Sequence, residues 1–205
     1  MIKNLSSGVR DGVGVRRQVY PKPNLSKSGK GHRKFPYLLR NKLIFEPNQV
    51  WAIDITYIPM GKRHMYLTAV IDWHSRYIVG WKLSDTLATM AVIEALQSAI
   101  KKHGSPSIIN SDQGSQFTSN EYSKFLAENG IRQSMDGKSR WADNVMIERW
   151  FRSLKFENIY TNEYETPREL RRGIAGYIND YNNNRPHQSL KNMRPFEAFR
   201  NYYAA

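Results

Sequence analysis

The sequence predicts an α/β fold, a mixed five-stranded sheet flanked by helices. Three observations carry that expectation. Three consecutive runs rich in β-branched and aromatic residues are separated only by short polar connections. After them, helix-length periodic segments alternate with short apolar runs. The chain has 205 residues, 40% of them hydrophobic, which is enough to bury a real core.

The first run, Val50 to Ile58, reads as a strand, with Trp51, Ile53, Ile55 and Tyr57 on one face and Ala52, Asp54 and Thr56 on the other. Met65–Asp72 and Arg76–Lys82 read as the second and third strands. The connections Pro59–His64 and Trp73–Ser75 suggest an antiparallel meander. Ser84, Asp85 or Thr86 is a candidate cap for a helix running to about His103, ended by Gly104 and Pro106. Ser107–Ser111 is a short buried strand, Ser119 to Asn129 a helix and Ile131–Ser134 another strand. A polar loop containing Gly137 leads to a helix over about Asn144–Asn158, with an apolar stripe of Met146, Trp150 and Leu154. Thr166, Pro167 and Glu169 form a capping-box signature for a helix to about Asn182, and a last short helix lies near Pro195–Tyr202. Residues 1–47 are Gly-, Ser-, Lys- and Arg-rich with Pro21, Pro23 and Pro36, and read as a basic arm. Its run Lys27–Lys34 either tracks phosphates or is a tail that touches nothing.

Composition narrows the function. Lys+Arg is 31 against Asp+Glu 18, a net charge of +13 with a pI near 9.9. That excess favours a polyanionic partner, with nucleic acid first among them, over a merely solvated basic surface. Cysteine is absent, which excludes disulfides, thiolate metal sites and thiol nucleophiles. No apolar run is long enough to span a bilayer and the amino terminus lacks an apolar signal core. The expectation is a soluble cytoplasmic protein associated with the nucleoid, not with a membrane.

Three carboxylates stand out. Asp54 interrupts an apolar strand, where a charge is costly unless paired or bound to a cation. Asp112 follows a strand and precedes Gly114, a position suited to a site. Glu148 lies early in a helix, with 35 residues between it and Asp112. Asn144, Glu148, Arg152 and Lys155 fall near one helical face at spacings of four, four and three. Each acid has an ordinary alternative: a hydrogen-bonded buried Asp, a turn Asp, and a surface Glu paired with Arg152. Together, one strand, one strand-end and one helix carboxylate can converge beside a mixed sheet. Carboxylate oxygens are preferred ligands of Mg²⁺ and Mn²⁺.

The stretches around these residues form an ordered set: Trp51–Tyr57, Asp72–Trp81, Ser111–Phe117, Asp143–Asn144 through Glu148, Leu154–Glu157 and Tyr181–His187. In order and spacing the set resembles insertion-sequence transposases with a DDE triad, of the OrfB type with an integrase catalytic core, relatives of retroviral integrases. It spans about Pro36 to Phe199. The resemblance implies an RNase H-like fold over residues 48–163, a C-terminal helical extension over 164–205, and an arm over 1–47 that is the remnant of a DNA-binding region. It further implies metal-dependent DNA cleavage and strand transfer, with Mg²⁺ (or Mn²⁺ in its place) on Asp54, Asp112 and Glu148. The partners it implies are element ends and target DNA, inside a homo-oligomeric protein–DNA complex. Lys155 matches a basic residue near the cut. Arg152, Asn144, Arg185 and His187 are further candidate DNA contacts.

Two departures bear on this. Asn110 stands where relatives often carry His before Ser-Asp. Residues 1–40 show no clean helix-turn-helix pair, so end recognition is either missing or supplied by a separate helix-turn-helix protein of an upstream reading frame. The alternative reading is therefore a catalytically inactive or truncated DNA-binding fragment. A third is a nuclease of the same fold acting on RNA–DNA hybrids or junctions.

Overall fold

A computed structural model describes residues 35–61, 63–136 and 144–200. The basic run 27–34, the Gly137 loop and the end of the last expected helix lie outside the described residues.

The meander forms as expected. β1 (Val50–Met60) pairs antiparallel with β2 (Arg63–Asp72), and β2 with β3 (Ile78–Ser84). β4 (Ile108–Ser111) and β5 (Arg132–Met135) add parallel to β1 on its other side, giving the order β3-β2-β1-β4-β5. This is a mixed five-stranded sheet.

Alternation along β1 feeds two cores. Trp51 and Ile53 pack with Val92, Leu96, Ile109, Tyr122 and Leu126, beneath α1 (Thr89–His103) and α2 (Asn120–Glu128). Ala52 and Ile58 pack on the opposite face with Trp150, Leu154, Ile174 and Tyr181, beneath α3 (Val145–Leu154) and α4 (Pro167–Asn183). Each aliphatic side chain so buried contributes roughly 1.5–3 kcal/mol. α1 lies very close to β3: a Cβ on Gly80 would stand 2.8 Å from both the Ala95 carbonyl and the Ala99 Cβ. α5 (Pro195–Arg200) closes the described chain.

Several local details differ from expectation. Ser84 is the last residue of β3, and the Ser84 and Thr86 hydroxyls lie 3.3 Å apart in hydrogen-bond contact. Their polar groups are used locally, so α1 starts later, with Ala88 at the N-cap and no side-chain cap. The apolar stripe of α3 is Ile147, Trp150, Phe151 and Leu154, while Met146 is only half-buried. The helix does not continue as α to Asn158. It widens into a π-helical segment, Lys155–Ile159.

Both ends of the expected core extend further. Leu39 is buried against Val50 and Ile108, and the Leu38 N–H donates to Ser134 Oγ at 3.1 Å. The apolar residues Tyr37, Leu38, Leu39 and Ile44 thus bind residues 35–47 to the core. At the other end, the Thr166–Glu169 capping box forms, and α4 buries Leu170, Ile174, Ile178 and Tyr181. Asn182, buried, accepts from the Ile78 N–H at 2.9 Å and donates to the Ile78 carbonyl at 3.1 Å. Its carboxamide ties the carboxyl end of α4 to the first residue of β3. No helix among the described residues is long and apolar enough to cross a membrane.

Candidate active site

The sheet register positions the acids. Ala52 pairs with Asn110, Asn110 with Ser134 and Ser111 with Met135. Carried forward, the parallel register sets Asp54, Asp112 and Asp136 level with one another at the carboxyl ends of β4 and β5. The Asp136 N–H donates to the Ser111 carbonyl at 3.0 Å, which extends β4–β5 pairing by one residue. Asp54 shares its face of β1 with Ala52, the face covered by α3. Glu148 stands exposed in the first turn of that helix.

Asp112 is exposed, and its Oδ1 accepts the Gly114 N–H at 2.9 Å, so the turn itself orients the carboxylate. Asp54 is half-buried, and its Oδ1 accepts the Ile55 N–H at 2.7 Å. Burial pushes the Asp54 carboxyl up to about 7, against the effect of that hydrogen bond. The negative charges of Asp112, Glu148 and Asp136 push it in the same direction. Asp112 and Glu148 are therefore within electrostatic reach of Asp54. Among the described residues, no three His, Asp or Glu side chains are already grouped closely enough to hold one metal ion.

Asp136 was missed in the sequence. It follows a short strand with nothing local to distinguish it. Its Oδ1 accepts from Asn110 Nδ2 at 2.7 Å, across 26 positions of chain, and its carbonyl accepts from Gln113 Nε2 at 2.8 Å. Asn110 itself is fully buried. A second acid, Asp72, is also fully buried, but its oxygens accept from the Asn48 N–H, the Ser75 N–H and the Ser75 hydroxyl. It organises the β2–β3 turn.

The basic candidates divide. Lys155 is half-buried; burial lowers its pKa while the charge of Asp54 raises it, which sets its ammonium near the acids. Arg152 is exposed, with its guanidinium 5.8 Å from the Phe156 ring. Asn144, expected on one helical face with Glu148 as a DNA contact, is buried at 5% exposure, at the N-cap of α3. Arg185 holds Glu157 through Nη2–Oε1 at 2.7 Å and accompanies Tyr177, whose hydroxyl donates to Glu157 at 3.0 Å. His187 Nδ1 lies 3.0 Å from the Ser189 hydroxyl. Burial, then the charges of Arg76 and Arg185, depress its pKa.

An integrase core domain family model matches residues 45–140, and a second integrase core domain model matches 129–195. The chain is 37% identical over 192 residues to the transposase for insertion sequence element IS904 of Lactococcus lactis subsp. lactis (strain IL1403), covering 88% of this chain and 76% of that protein. It is 35% identical over 154 residues to the putative transposase InsK for insertion sequence element IS150 of Escherichia coli (strain K12), covering 74% of this chain and 54% of that protein. The chain thus spans about three quarters of one such relative and just over half of another. Among solved structures, the HTLV-2 integrase catalytic core domain in complex with magnesium superposes with a TM-score of 0.63 at 20% identity, over 75% of this chain and 97% of that one. The simian T-cell lymphotropic virus intasome in complex with PP2A regulatory subunit B56 gamma gives a TM-score of 0.68 at 18% identity, over 83% and 60%. The fold is RNase H-like, and the chain belongs to the insertion-sequence transposases built on an integrase core domain, relatives of the retroviral integrases.

Proposed function

We propose that the chain carries out metal-dependent DNA cleavage and strand transfer for an insertion sequence, with Asp54, Asp112 and Glu148 as its metal ligands. The observation that carries this reading is the sheet register, which sets Asp54 level with Asp112 on adjacent strands on the face covered by the helix that bears Glu148. A strand carboxyl in the sheet interior is lifted to about 7 by burial and by the neighbouring charges of Asp112, Glu148 and Asp136. Such a donor set, all carboxylate oxygen and mutually repelling, fits a hard divalent cation such as Mg²⁺ or Mn²⁺. When bound, that cation would supply charge stabilisation and a more acidic nucleophile for in-line displacement at phosphorus.

The chain's own residues have separable roles. Asp54 and Asp112 provide ligand oxygens from adjacent strands, and Glu148 provides one from the helix that covers them. Lys155 holds a phosphate of the bound strand beside Asp54. In the first step, water attacks phosphorus and the P–O bond to the leaving 3′-oxygen breaks. In the second, that freed 3′-hydroxyl attacks a target phosphodiester, so one P–O bond forms as another breaks. The chain would act as a homo-oligomer on DNA, with end recognition helped by a helix-turn-helix partner.

The deciding experiment uses precut oligonucleotides carrying the ends of the element that encodes the chain. Mg²⁺-dependent joining to target DNA is expected. Asp112→Ala should lose joining and keep DNA binding; full activity in that variant would sink the assignment. DNA binding without joining in the unmodified chain would identify a DNA-binding fragment. Cleavage of an RNA–DNA hybrid in preference to joining would identify a nuclease.

A further inference from the structure

A cavity lies beside α3, on the helical face next to the one that carries Glu148. Its volume is about 360 Å³, and Arg76, Arg149, Trp150, Ser153, Arg185 and His187 contribute to its walls. No carboxylate lines it. Arg149 is exposed and enters no ion pair among the described residues. Arg76 sits half-buried in a left-handed backbone conformation, φ 63°, and donates to the Trp73 carbonyl and the Met146 sulfur, both neutral. Burial lowers its pKa by more than Tyr181 and the charge of Asp72 raise it.

Arg149 and Arg76, neither of them in an ion pair among the described residues, suit an anion with several acceptor oxygens. The geometry points to a binding site for a phosphodiester of a DNA strand, engaged by Arg149 and Arg76. The inference rests on the proposed action on DNA and adds a contact away from the cut. Arg149 directly follows Glu148, so the two side chains leave α3 about 100° apart.

The test measures the affinity of the full chain for a fluorescein-labelled 30-base-pair duplex over a salt series, by anisotropy. Arg149→Ala and Arg149→Glu are compared with the parent and with Lys124→Ala on α2. Loss of one phosphate contact should weaken binding about 3–10-fold and reduce the slope of log K against log salt by about 0.9. Lys124→Ala should match the parent. Thermal melting checks that both Arg149 variants fold. Unchanged affinity and slope in both would overturn the site while leaving DNA binding intact. Failure of the parent to bind DNA would overturn the proposed function along with it. Inorganic phosphate serves as the second probe. If it raises the melting temperature of the parent but not of Arg149→Ala, with the DNA slope unchanged, the cavity takes a free phosphate and the DNA assignment fails.

Discussion

Asn110 Nδ2 donates to Asp136 Oδ1 at 2.7 Å, joining the interior of β4 to the residue just past β5. Asn110 is fully buried, and its removal takes a charge-assisted hydrogen bond from the Asp136 carboxylate. Asn110→Ala should cost about 1.5–3 kcal/mol in chemical denaturation. Asp136→Asn removes one of the charges acting on Asp54. It should weaken Mg²⁺ binding a few-fold in calorimetry while the fold is kept; unchanged affinity would place Asp136 outside the electrostatics of the site.

The Asp54 carboxyl sets a pH dependence whose sign is fixed. Its folded value is about 7 and its ordinary value 3.8, so folding favours the protonated form. That stabilisation is complete below about pH 4 and is lost as pH rises through 7. With chelator present, Asp54→Asn should be more stable than the parent at pH 8 by about 2–4 kcal/mol and nearly equal to it at pH 4. Mg²⁺ should raise the melting temperature of the parent at pH 8 and leave Asp54→Asn little changed. Equal stability at pH 8 without metal would contradict the burial and repulsion described for Asp54.

The Glu157–Arg185 pair should behave as a screened surface bridge. Arg185 holds the Glu157 carboxyl below its usual range, so its contribution is present at neutral pH and fades as pH falls through the carboxylate range. Both side chains are about two-fifths exposed, which limits the effect to about 1 kcal/mol. Glu157→Gln should reduce stability by that amount at pH 7 and by less at pH 3, read by urea denaturation.

Asn182→Ala removes both partners of the Ile78 backbone at a buried site. A loss of about 2–4 kcal/mol is expected, with faster hydrogen exchange at the Ile78 amide. Exchange as slow as in the parent would show that water replaces the carboxamide.

Gly80→Ala should cost about 1–3 kcal/mol, because its methyl would enter space held by the Ala95 backbone and the Ala99 side chain. Gly80→Ala with Ala99→Gly should recover part of that loss in thermal melting.

What was legible in the sequence was local. Runs of β-branched residues marked β1 to β3, and Thr166, Pro167 and Glu169 marked the start of α4. Asp54 was legible because a charge in an apolar strand is anomalous on its own. Asp136 and Asn182 were not, since their meaning lies in partners 26 and 104 positions away. The start of α1 was misjudged because Ser84 and Thr86 satisfy each other instead of capping a helix. The widening at Lys155 has no breaker residue to announce it; it accompanies a tertiary clamp, Glu157 on Arg185 and Tyr177.

That widened turn makes one rod serve two addresses. Up to Leu154 the side chains follow the α period, which aims Glu148 at the strand acids; from Lys155 the period changes, and Glu157 meets the far end of α4. Deleting a single residue between Lys155 and Ile159 would restore one uniform period and swing everything beyond by about 100°. The composition would hardly change, but the clamp and the acids could no longer be served by the same helix. Length between these two points therefore constrains the site as much as the identity of its acids does.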